Sequence, residues 1–207
     1  SANGIFRNSG QVCVAGSRLL VERSIASEMS EKISAIAARI KIGDPLDMAT
    51  EAGAISSEIQ LLKDLGYAEQ ALSEGATLRT GGKRILEETG GFYMQPTVIE
   101  VTPAMTLAKE EVFGPILSVI PFDTEADALR IANGTDYGLA SAVWTSNLSR
   151  AHRMVRAVRA GVVHVNTYGG ADGTVPLGGV KQSGNGHDKS LHALDKYTDL
   201  KTAWIQL

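Results

Sequence analysis

The chain has a single cysteine, four histidines and few aromatic residues, which make up 5% of its 207 residues. One thiol forms neither an intramolecular disulfide nor a multi-cysteine zinc site. Cys13 is therefore either a small buried residue or a reactive sulfur. The histidines, at positions 152, 164, 187 and 192, lack the spacing of metal ligands, and we predict no metal site.

The chain also lacks an excess of charge and a long apolar run. Its 20 basic and 23 acidic residues give a net charge of -3 and form no basic stripe, which argues against a nucleic-acid partner. The mean hydropathy is -0.01, and no run is long enough to span a membrane. The lone cysteine and the absence of a charged and apolar leader lead us to expect a cytoplasmic protein.

Strand-like and helical segments alternate along the chain. Apolar spacing predicts two early helices, one from a Ser24 N-cap through Ile40 and one through 59–72 that ends at Gly75. Later segments repeat the order strand, helix, strand, which is typical of βαβ units. We therefore predict an α/β fold, a mostly parallel twisted sheet with flanking helices. The strands are expected at 17–21, 77–80, 97–101, 116–122, 137–145 and 162–165, and later helices at 124–132 and 147–160.

The sequence also supports predictions for two C-terminal segments, a long loop and a final strand. The glycine-rich stretch 169–186 is a long loop, of the kind that is functional when it interrupts a compact domain. After a short helix around 188–194, residues 198–207 read as a final strand whose edge needs a partner. That partner is a second subunit or the chain's own sheet, and the sequence leaves both open.

Cys13 lies in the segment 6–18, which has the pattern of a loop that enters a strand. Gly10 allows the backbone to approach a ligand closely, and the Cys13 amide is suited to bind an oxyanion formed when sulfur attacks a carbonyl. Small residues before a lone cysteine are also common in plain turns, so these features alone leave a reactive and a structural cysteine equally open.

Five motifs decide between these alternatives. The pattern Asn8-x-Gly10-Gln11-x-Cys13-x-Ala15-x-Ser17-Arg18 resembles the active-site cysteine motif of the aldehyde dehydrogenase superfamily. Four further motifs of that family follow in its order, at 109–115, 137–140, 161–166 and 176–184. The tail 184–198 is similar to the γ-glutamyl-γ-aminobutyraldehyde dehydrogenase branch. The resemblance covers essentially the whole chain.

The resemblance implies oxidation of an aldehyde to the acid with NAD or NADP, through a thiohemiacetal and a thioester on Cys13. Glu111 matches the glutamate that holds the nicotinamide ribose, and Phe113 the aromatic residue near the nicotinamide. Without the resemblance, Glu111 reads as a solvated charge and Phe113 as core packing. Gln60 and Lys63 match positions that reach the cofactor's ribose side, and they also fit a plain polar helix face.

The branch implies an amino- or γ-glutamylamino-aldehyde as substrate. Val12 and Leu177 would line its apolar wall, and Asp172 would receive an ammonium group, although Asp172 also fits a simple turn. Leu177 replaces the phenylalanine that relatives usually have, which loosens that wall. Asn166 ends a strand, where its amide would tie down the following loop. The resemblance further implies a homo-oligomer, a dimer or tetramer.

By the same resemblance, 1–195 is the catalytic domain and 196–207 the C-terminal oligomerisation strand. The family's N-terminal dinucleotide-binding domain and its general-base glutamate are absent from this chain. We therefore expect the chain alone to be nearly inactive. Two alternatives remain, a noncatalytic oligomerisation or binding module with this fold, and a cysteine hydrolase in which a histidine is the base.

Overall fold

A computed structural model describes residues 1–170 and 172–207. Residue 171, inside the loop predicted at 169–186, lies outside the described residues. The described helices are α1 to α5, and short 3₁₀ turns join several elements. In chain order the helices are Ala2–Phe6, Ala26–Ala37, Glu58–Ser73, Glu125–Asn133 and Leu148–Ala157.

The strands β1 to β10 include four that form the main sheet, in the order β1-β6-β5-β2. β6 lies parallel to both β1 and β5, whereas β2 is antiparallel to β5 at the edge. This arrangement confirms the predicted fold class. The ten strands are Arg18–Glu22, Thr77–Thr80, Arg84–Ile85, Tyr93–Met94, Thr97–Glu100, Ile116–Phe122, Ala140–Val143, Val162–Val165, Leu177–Gly178 and His187–Asp188.

The central strands are apolar on both faces because helices cover both sides of the sheet. On β5, Val98 packs in the core beneath α1 and α2, and its neighbour Ile99 packs in the core beneath α3. On β6, Leu117 belongs to the core on the side of α1 and α2, and Ile116 to the core on the side of α3. Successive side chains on a strand point to opposite faces, so near-continuous apolar runs mark strands buried between two layers.

Periodicity predicted the positions of α2 to α5, whereas α1 was not predicted. The buried faces were predicted only in part. On α3 the apolar stripe at 59, 62, 65, 68 and 72 predicts the buried face, and Ala68 is buried as predicted. Ile59 and Leu62 are instead 83% and 59% exposed, whereas Leu61 and Asp64 are fully buried. The face of α3 that packs on the sheet also carries Ala68 and Ala71, whose small side chains allow close approach. Burial of Asp64 on this face is tolerated because its Oδ1 accepts a hydrogen bond from Gln60.

On α2 the buried residues are Ala26, Ser30, Ile33 and Ala37. Of these, Ile33 alone belongs to the apolar stripe at 25, 29, 33, 36 and 40 that predicts the helix. Burial of the polar Ser30 side chain is tolerated because its hydroxyl donates a hydrogen bond to Glu100 Oε1 at 2.6 Å. The predicted stripe residue Ile36 is 49% exposed. Ser24 does not cap this helix, since it lies in a preceding 3₁₀ turn and its hydroxyl donates to Glu22.

A second, two-stranded sheet pairs β7 with β8 in parallel, and α5 connects them. The loop after β8 contains the short antiparallel pair of β9 and β10, followed by a 3₁₀ helix over Leu191–Tyr197 in place of the predicted helix at 188–194. Asn166 ties the start of this loop to Thr145, as predicted: its Nδ2 donates to the Thr145 carbonyl oxygen and its Oδ1 accepts from the Thr145 amide, both at 2.9 Å.

Residues 198–207 form no strand within the chain and are exposed throughout. A strand needs a neighbour for its hydrogen bonds, and the chain's own sheets do not supply one here. The intrachain pairing that the sequence left open is therefore wrong, and pairing with a second subunit stays a prediction. In the part of the chain that the structure describes, no helix has the length and apolar character needed to cross a membrane.

Candidate active site

Cys13 lies at an exposed turn just before β1. The Ala15 amide donates to the Val12 carbonyl oxygen at 2.8 Å and closes the turn around Cys13 and Val14. Val12 is also exposed, with 37% of its surface accessible. Among the described backbone contacts, the Cys13 amide donates to no other backbone group. The turn therefore combines an exposed thiol with an amide that has no backbone partner, the two groups that attack on a carbonyl requires.

The segment before the turn is anchored to the loop that precedes α3. The side chain of Gln11 bridges that loop, since its Nε2 donates to the Ala54 carbonyl oxygen at 3.3 Å and its Oε1 accepts from the Ser56 amide at 2.8 Å. Ser9 is buried, and its hydroxyl donates to the Gly53 carbonyl oxygen at 2.8 Å. These bonds give Gln11 of the cysteine motif and the neighbouring Ser9 a structural role, since both anchor the segment.

Gly10 joins the cysteine segment to the second motif. Its φ is +72°, and a Cβ atom at this position would lie 2.1 Å from the carbonyl oxygen of Gly114. The close approach that the sequence assigned to a ligand is therefore an approach to the chain's own backbone, which corrects that expectation. The contact brings the Cys13 segment against the loop that carries Glu111 and Phe113.

Glu111 and Phe113 are both exposed, and Phe113 keeps 38% of its surface accessible. Phe113 has a φ of 64°, a left-handed conformation that is costly for a bulky residue and is often found at functional sites. Between them Val112 is buried in the core. The loop thus holds one residue inside and turns its two neighbours outward, which excludes simple core packing as the full account of Phe113.

Gln60 and Lys63 of α3 contact this same loop. Gln60 Nε2 donates to the Val112 carbonyl oxygen at 2.9 Å and to Asp64 Oδ1 at 2.7 Å. Lys63 Nζ lies 3.4 Å from the Glu111 carbonyl oxygen. The structure therefore brings all four residues matched to the cofactor site together, and it gives the Gln60 amide nitrogen a role in holding the loop.

Asp64 was missed by the sequence analysis. It is fully buried, and its Oδ2 has no hydrogen-bond partner among the described residues. Burial raises the pKa of Asp64 to about 6, although the hydrogen bond from Gln60 and the charge of Lys63 act in the opposite direction. A Cβ atom at Gly114 would lie 2.1 Å from Oδ2, so this carboxyl packs directly against the loop. In the sequence, the one feature that indicates a role for Asp64 is its position four residues after Gln60, a spacing that allows a hydrogen bond on a helix.

Tyr168 was also missed, and nothing in its local sequence marks it. Its hydroxyl donates to the Val14 carbonyl oxygen, next to Cys13, at 2.6 Å. Burial raises the pKa of Tyr168 above its ordinary value, so the phenol stays protonated and remains a donor at neutral pH. The residue joins the cysteine turn to the segment after β8.

Two of the three candidate substrate residues, Leu177 and Asp172, lie in the loop after β8, whereas Val12 lies in the cysteine turn. Leu177 is half-buried in β9, where it pairs with Asp188. Asp172 is exposed, and its Oδ1 accepts from the Thr174 amide and hydroxyl, both at 2.8 Å. These bonds lower the pKa of Asp172. The turn geometry left open by the sequence is therefore present, and the carboxylate stays charged at neutral pH.

Two residues of the last motif hold the loop in place. Lys181 Nζ donates to the carbonyl oxygens of Asn133 and Thr135, at 2.9 and 2.7 Å, at the end of α4. The Ser183 hydroxyl accepts from the Gly138 amide at 3.0 Å, which joins the third and fifth motifs. These motif residues position the loop and present no reactive group of their own.

The histidines form no second reactive centre with the cysteine. His164 packs against the Tyr168 ring at 5.8 Å between centroids, and in residues 1–170 and 172–207 no hydrogen bond joins a histidine to Cys13. A hydrolase of the cysteine and histidine type lacks its base in this arrangement. Within the same residues, no group of three or more potential metal ligands is found.

Known proteins resemble this chain over its whole length. It is 48% identical to the NADP/NAD-dependent aldehyde dehydrogenase PuuC of Escherichia coli K12, over 100% of this chain and 41% of PuuC. A solved γ-glutamyl-γ-aminobutyraldehyde dehydrogenase from Burkholderia cenocepacia is 56% identical, with a TM-score of 0.93, over 97% of this chain and 41% of that one.

A third relative has been solved with ligands. The indole-3-acetaldehyde dehydrogenase AldA of P. syringae, in complex with NAD+ and IAA, is 54% identical with a TM-score of 0.95, over 100% of this chain and 42% of that one. The chain thus spans about two fifths of the length of these relatives. The profile of the aldehyde dehydrogenase family matches residues 1–203. By its sequence, its fold and its ordered motifs, this chain belongs to the aldehyde dehydrogenase family.

Proposed function

We propose that this chain supplies the nucleophile and the ribose side of the cofactor site of an enzyme that oxidises an aldehyde to a carboxylic acid with NAD+ or NADP+. The observation that carries the proposal is the contact of Gly10 with Gly114, which sets an exposed Cys13 beside the loop of Glu111 and Phe113. A nucleophile and a cofactor must meet at one carbon atom, and this contact joins their supporting segments.

In this proposal the Cys13 thiolate adds to the aldehyde carbon and gives a thiohemiacetal. The free Cys13 amide stabilises the oxyanion formed at the former carbonyl oxygen. Loss of hydride from that carbon would give a thioester on Cys13. A nicotinamide cofactor held beside the 111–113 loop would supply the hydride acceptor. Water cleaves the thioester to the acid and returns the thiol. This last step requires a general base, and in the part of the chain that the structure describes no histidine is hydrogen-bonded to the sulfur.

The residues of the 111–113 loop fit a dinucleotide. An exposed carboxylate at Glu111 is suited to accept two ribose hydroxyls, and the exposed Phe113 ring offers a flat face to a nicotinamide. The Lys63 ammonium group, on the same side of α3, adds a donor nearby. Gln60 contributes indirectly, since its amide nitrogen is engaged with Val112 and Asp64.

The proposed substrate class is an amino- or γ-glutamylamino-aldehyde. The exposed side chain of Val12 and the half-buried Leu177 would face its carbon chain, and the charged Asp172 would receive its amine end. The likeness to PuuC and to the Burkholderia enzyme supports this class, while the likeness to an indole-3-acetaldehyde dehydrogenase makes aromatic aldehydes the alternative. Leu177, smaller than phenylalanine, leaves room for either.

We further propose that 1–195 is the catalytic domain and that 196–207 mediates assembly into a dimer or tetramer. The tail is exposed and carries apolar side chains, with Trp204 at 92% and Ile205 at 79% exposure. A noncatalytic oligomerisation module would use the same tail. Only the reactivity of the Cys13 thiol therefore distinguishes the catalytic from the noncatalytic function. The dinucleotide-binding part and the general base would come from outside these residues, and this chain alone would be nearly inactive.

The test uses an ester that acylates a reactive cysteine without cofactor. Wild-type chain mixed with p-nitrophenyl acetate is expected to release about one nitrophenolate per chain in a burst. The acetyl group should then persist on Cys13, since deacylation lacks its base, and peptide mass spectrometry would locate it. Turnover of NAD+ with an aminoaldehyde should be close to zero in the same preparation.

The matched control moves the thiol to another exposed position. The double variant Cys13→Ser/Ser24→Cys keeps one exposed thiol, on the 3₁₀ turn before α2. We expect it to acylate at least about tenfold more slowly, because in this proposal the oxyanion is stabilised at the turn of Cys13 alone. Equal rates in the two proteins would refute the nucleophile and favour the noncatalytic module. Rapid NAD+ turnover by the chain alone would refute its predicted near inactivity.

A further inference from the structure

We propose that Tyr168 is the positioning residue of the nucleophile turn: its hydroxyl holds the Val14 carbonyl oxygen and thereby sets the direction of Cys13. Tyr168 and Val14 are 154 positions apart in sequence, yet the Tyr168 hydroxyl oxygen lies 2.6 Å from the Val14 carbonyl oxygen. The inference rests on the proposed function in treating Cys13 as the nucleophile. The geometric part, that Tyr168 orders the turn, can be tested without any catalysis.

The ring of Tyr168 occupies a space that two glycines leave open. A Cβ atom at Gly4 would lie 3.0 Å from its Cδ1, and one at Gly16 would lie 3.3 Å from its Cζ and hydroxyl oxygen. The two glycines also bond each other, since the Gly16 amide donates to the Gly4 carbonyl oxygen at 2.8 Å. The ring thus rests on the backbone on both sides of the cysteine segment.

Tyr168 is itself held from the other side. Its ring stacks on Trp144 at 6.4 Å between centroids with an interplanar angle of 15°, and it also contacts His164. The reciprocal hydrogen bonds of Asn166 with Thr145 fix the end of β8, two residues earlier. The hydroxyl therefore reaches the turn from a platform built on the second sheet.

The consequence for Cys13 follows from the small number of bonds in its turn. One backbone bond, from the Ala15 amide to the Val12 carbonyl oxygen, closes it. Tyr168 adds a second constraint on the opposite side of Cys13, at Val14. With both in place, the backbone on either side of Cys13 is held. The Cys13 amide and the Cα–Cβ bond that carries the sulfur then keep one direction relative to the rest of the site, as attack and oxyanion binding at one carbonyl require.

The experiment compares Tyr168→Phe with Tyr197→Phe in the 207-residue chain. The first variant removes only the hydroxyl and keeps the ring, and the second removes a hydroxyl from a residue that is 77% exposed. Solvent exchange of the Ala15 amide, measured by NMR, is expected to rise about threefold to tenfold in Tyr168→Phe, as loss of one hydrogen bond would produce. The Leu20 amide, in β1, should exchange at the wild-type rate in both variants.

A second readout reports on the sulfur itself. Cys13 is alkylated with 3-bromo-1,1,1-trifluoroacetone and observed by fluorine NMR. We expect one narrow line in the wild type and in Tyr197→Phe, and a shifted, broadened or multiple line in Tyr168→Phe, because the turn samples several conformations. General destabilisation would not move this signal at constant folded population.

The outcomes separate the two proposals. An unchanged Ala15 exchange rate together with an unchanged fluorine line would overturn the role of Tyr168. An increase of equal size at Ala15 and Leu20 would also overturn it, since it would show loss of global stability. If both signals respond to Tyr168→Phe but the ester fails to acylate Cys13, the positioning role stands and the proposed enzymatic function fails.

Discussion

The backbone of Gly10 lies so close to the Gly114 carbonyl oxygen that a Cβ atom at Gly10 would be 2.1 Å from it. Carbon and oxygen atoms that are not bonded to each other do not approach this closely, so any side chain at Gly10 must displace one of the two segments. The φ of +72° adds a conformational cost for every residue except glycine. This one contact joins the segment of the cysteine to the loop of Glu111 and Phe113.

Gly10→Ala is therefore expected to lower the free energy of unfolding by about 2 to 4 kcal/mol, measured by urea denaturation. The matched control is Gly66→Ala. Gly66 lies inside α3, and a Cβ atom there would have no neighbour within 4 Å. Alanine at that position should stabilise the protein by about 1 kcal/mol, because it is the better helix former. A neutral Gly10→Ala variant would contradict the contact.

Asp64→Asn should change how stability depends on pH. The folded-state pKa of about 6 lies above the reference value of 3.8, so the folded protein binds this proton more tightly than the unfolded chain does. The resulting stabilisation is complete below the unfolded pKa and is lost as the pH rises through about 6. Relative to Asp64→Asn, the wild type should gain about 2 kcal/mol between about pH 7.5 and pH 4.

Urea denaturation of both proteins at several pH values measures this difference. Subtraction of the two curves removes the contributions of the other carboxylates, which titrate in both proteins. Glu74→Gln provides a control of opposite sign, since hydrogen bonds from Thr106 lower the pKa of that exposed carboxyl. A pH-independent difference between wild type and Asp64→Asn would show that Asp64 is not buried as an acid.

Glu125 should contribute stability in the opposite pH range. It joins α4 to α5 by accepting from Arg150 and Arg153, and hydrogen bonds from Arg153 lower its pKa to about 2. Because the folded pKa is lowered, the contribution is present above the unfolded value of 4.5 and is lost as the pH falls through about 2. Glu125→Gln should lower Tm at pH 7, and the loss should shrink in acid.

Salt provides the second arm of that measurement. Arg150 and Arg153 are exposed and Glu125 is half-buried at the surface, so the loss in Tm caused by Glu125→Gln should also shrink at about 1 M sodium chloride. Thr124, which caps α4 through a bond to the Asp127 amide, is uncharged and serves as control. The loss caused by Thr124→Ala should be nearly independent of salt. Equal salt dependence in both variants would contradict the ionic account of Glu125.

Removal of the tail should change assembly and leave the fold intact. A chain that ends at Tyr197 lacks ten residues that form no strand and are exposed throughout. We expect the full chain to sediment as a dimer or tetramer and the shortened chain as a monomer, in analytical ultracentrifugation. Trp204→Ala/Ile205→Ser tests the apolar contacts separately. A monomeric full chain would refute the proposed role of the tail.

Local sequence signals predicted much of the fold because they are short-range. The strands 77–80, 116–122 and 162–165 were placed at the observed bounds, since apolar runs and turn residues define them without reference to the rest of the chain. The positions of α2 to α5 followed for the same reason, whereas the five-residue α1 was not predicted. The buried faces of α2 and α3 followed only in part, because small residues such as Ala71 and polar ones such as Ser30 become core residues only when a partner surface meets them.

For the candidate site, the sequence by itself determined the candidates: one thiol between Gly10 and Gly16, and Glu111 and Phe113 in a motif that resembles one of the family. Only the tertiary structure decided how they are held. Gly10 against Gly114, Asp64 beneath the loop and Tyr168 on Val14 join segments far apart along the chain. Such contacts depend on packing distance and burial, which no local pattern of residues encodes.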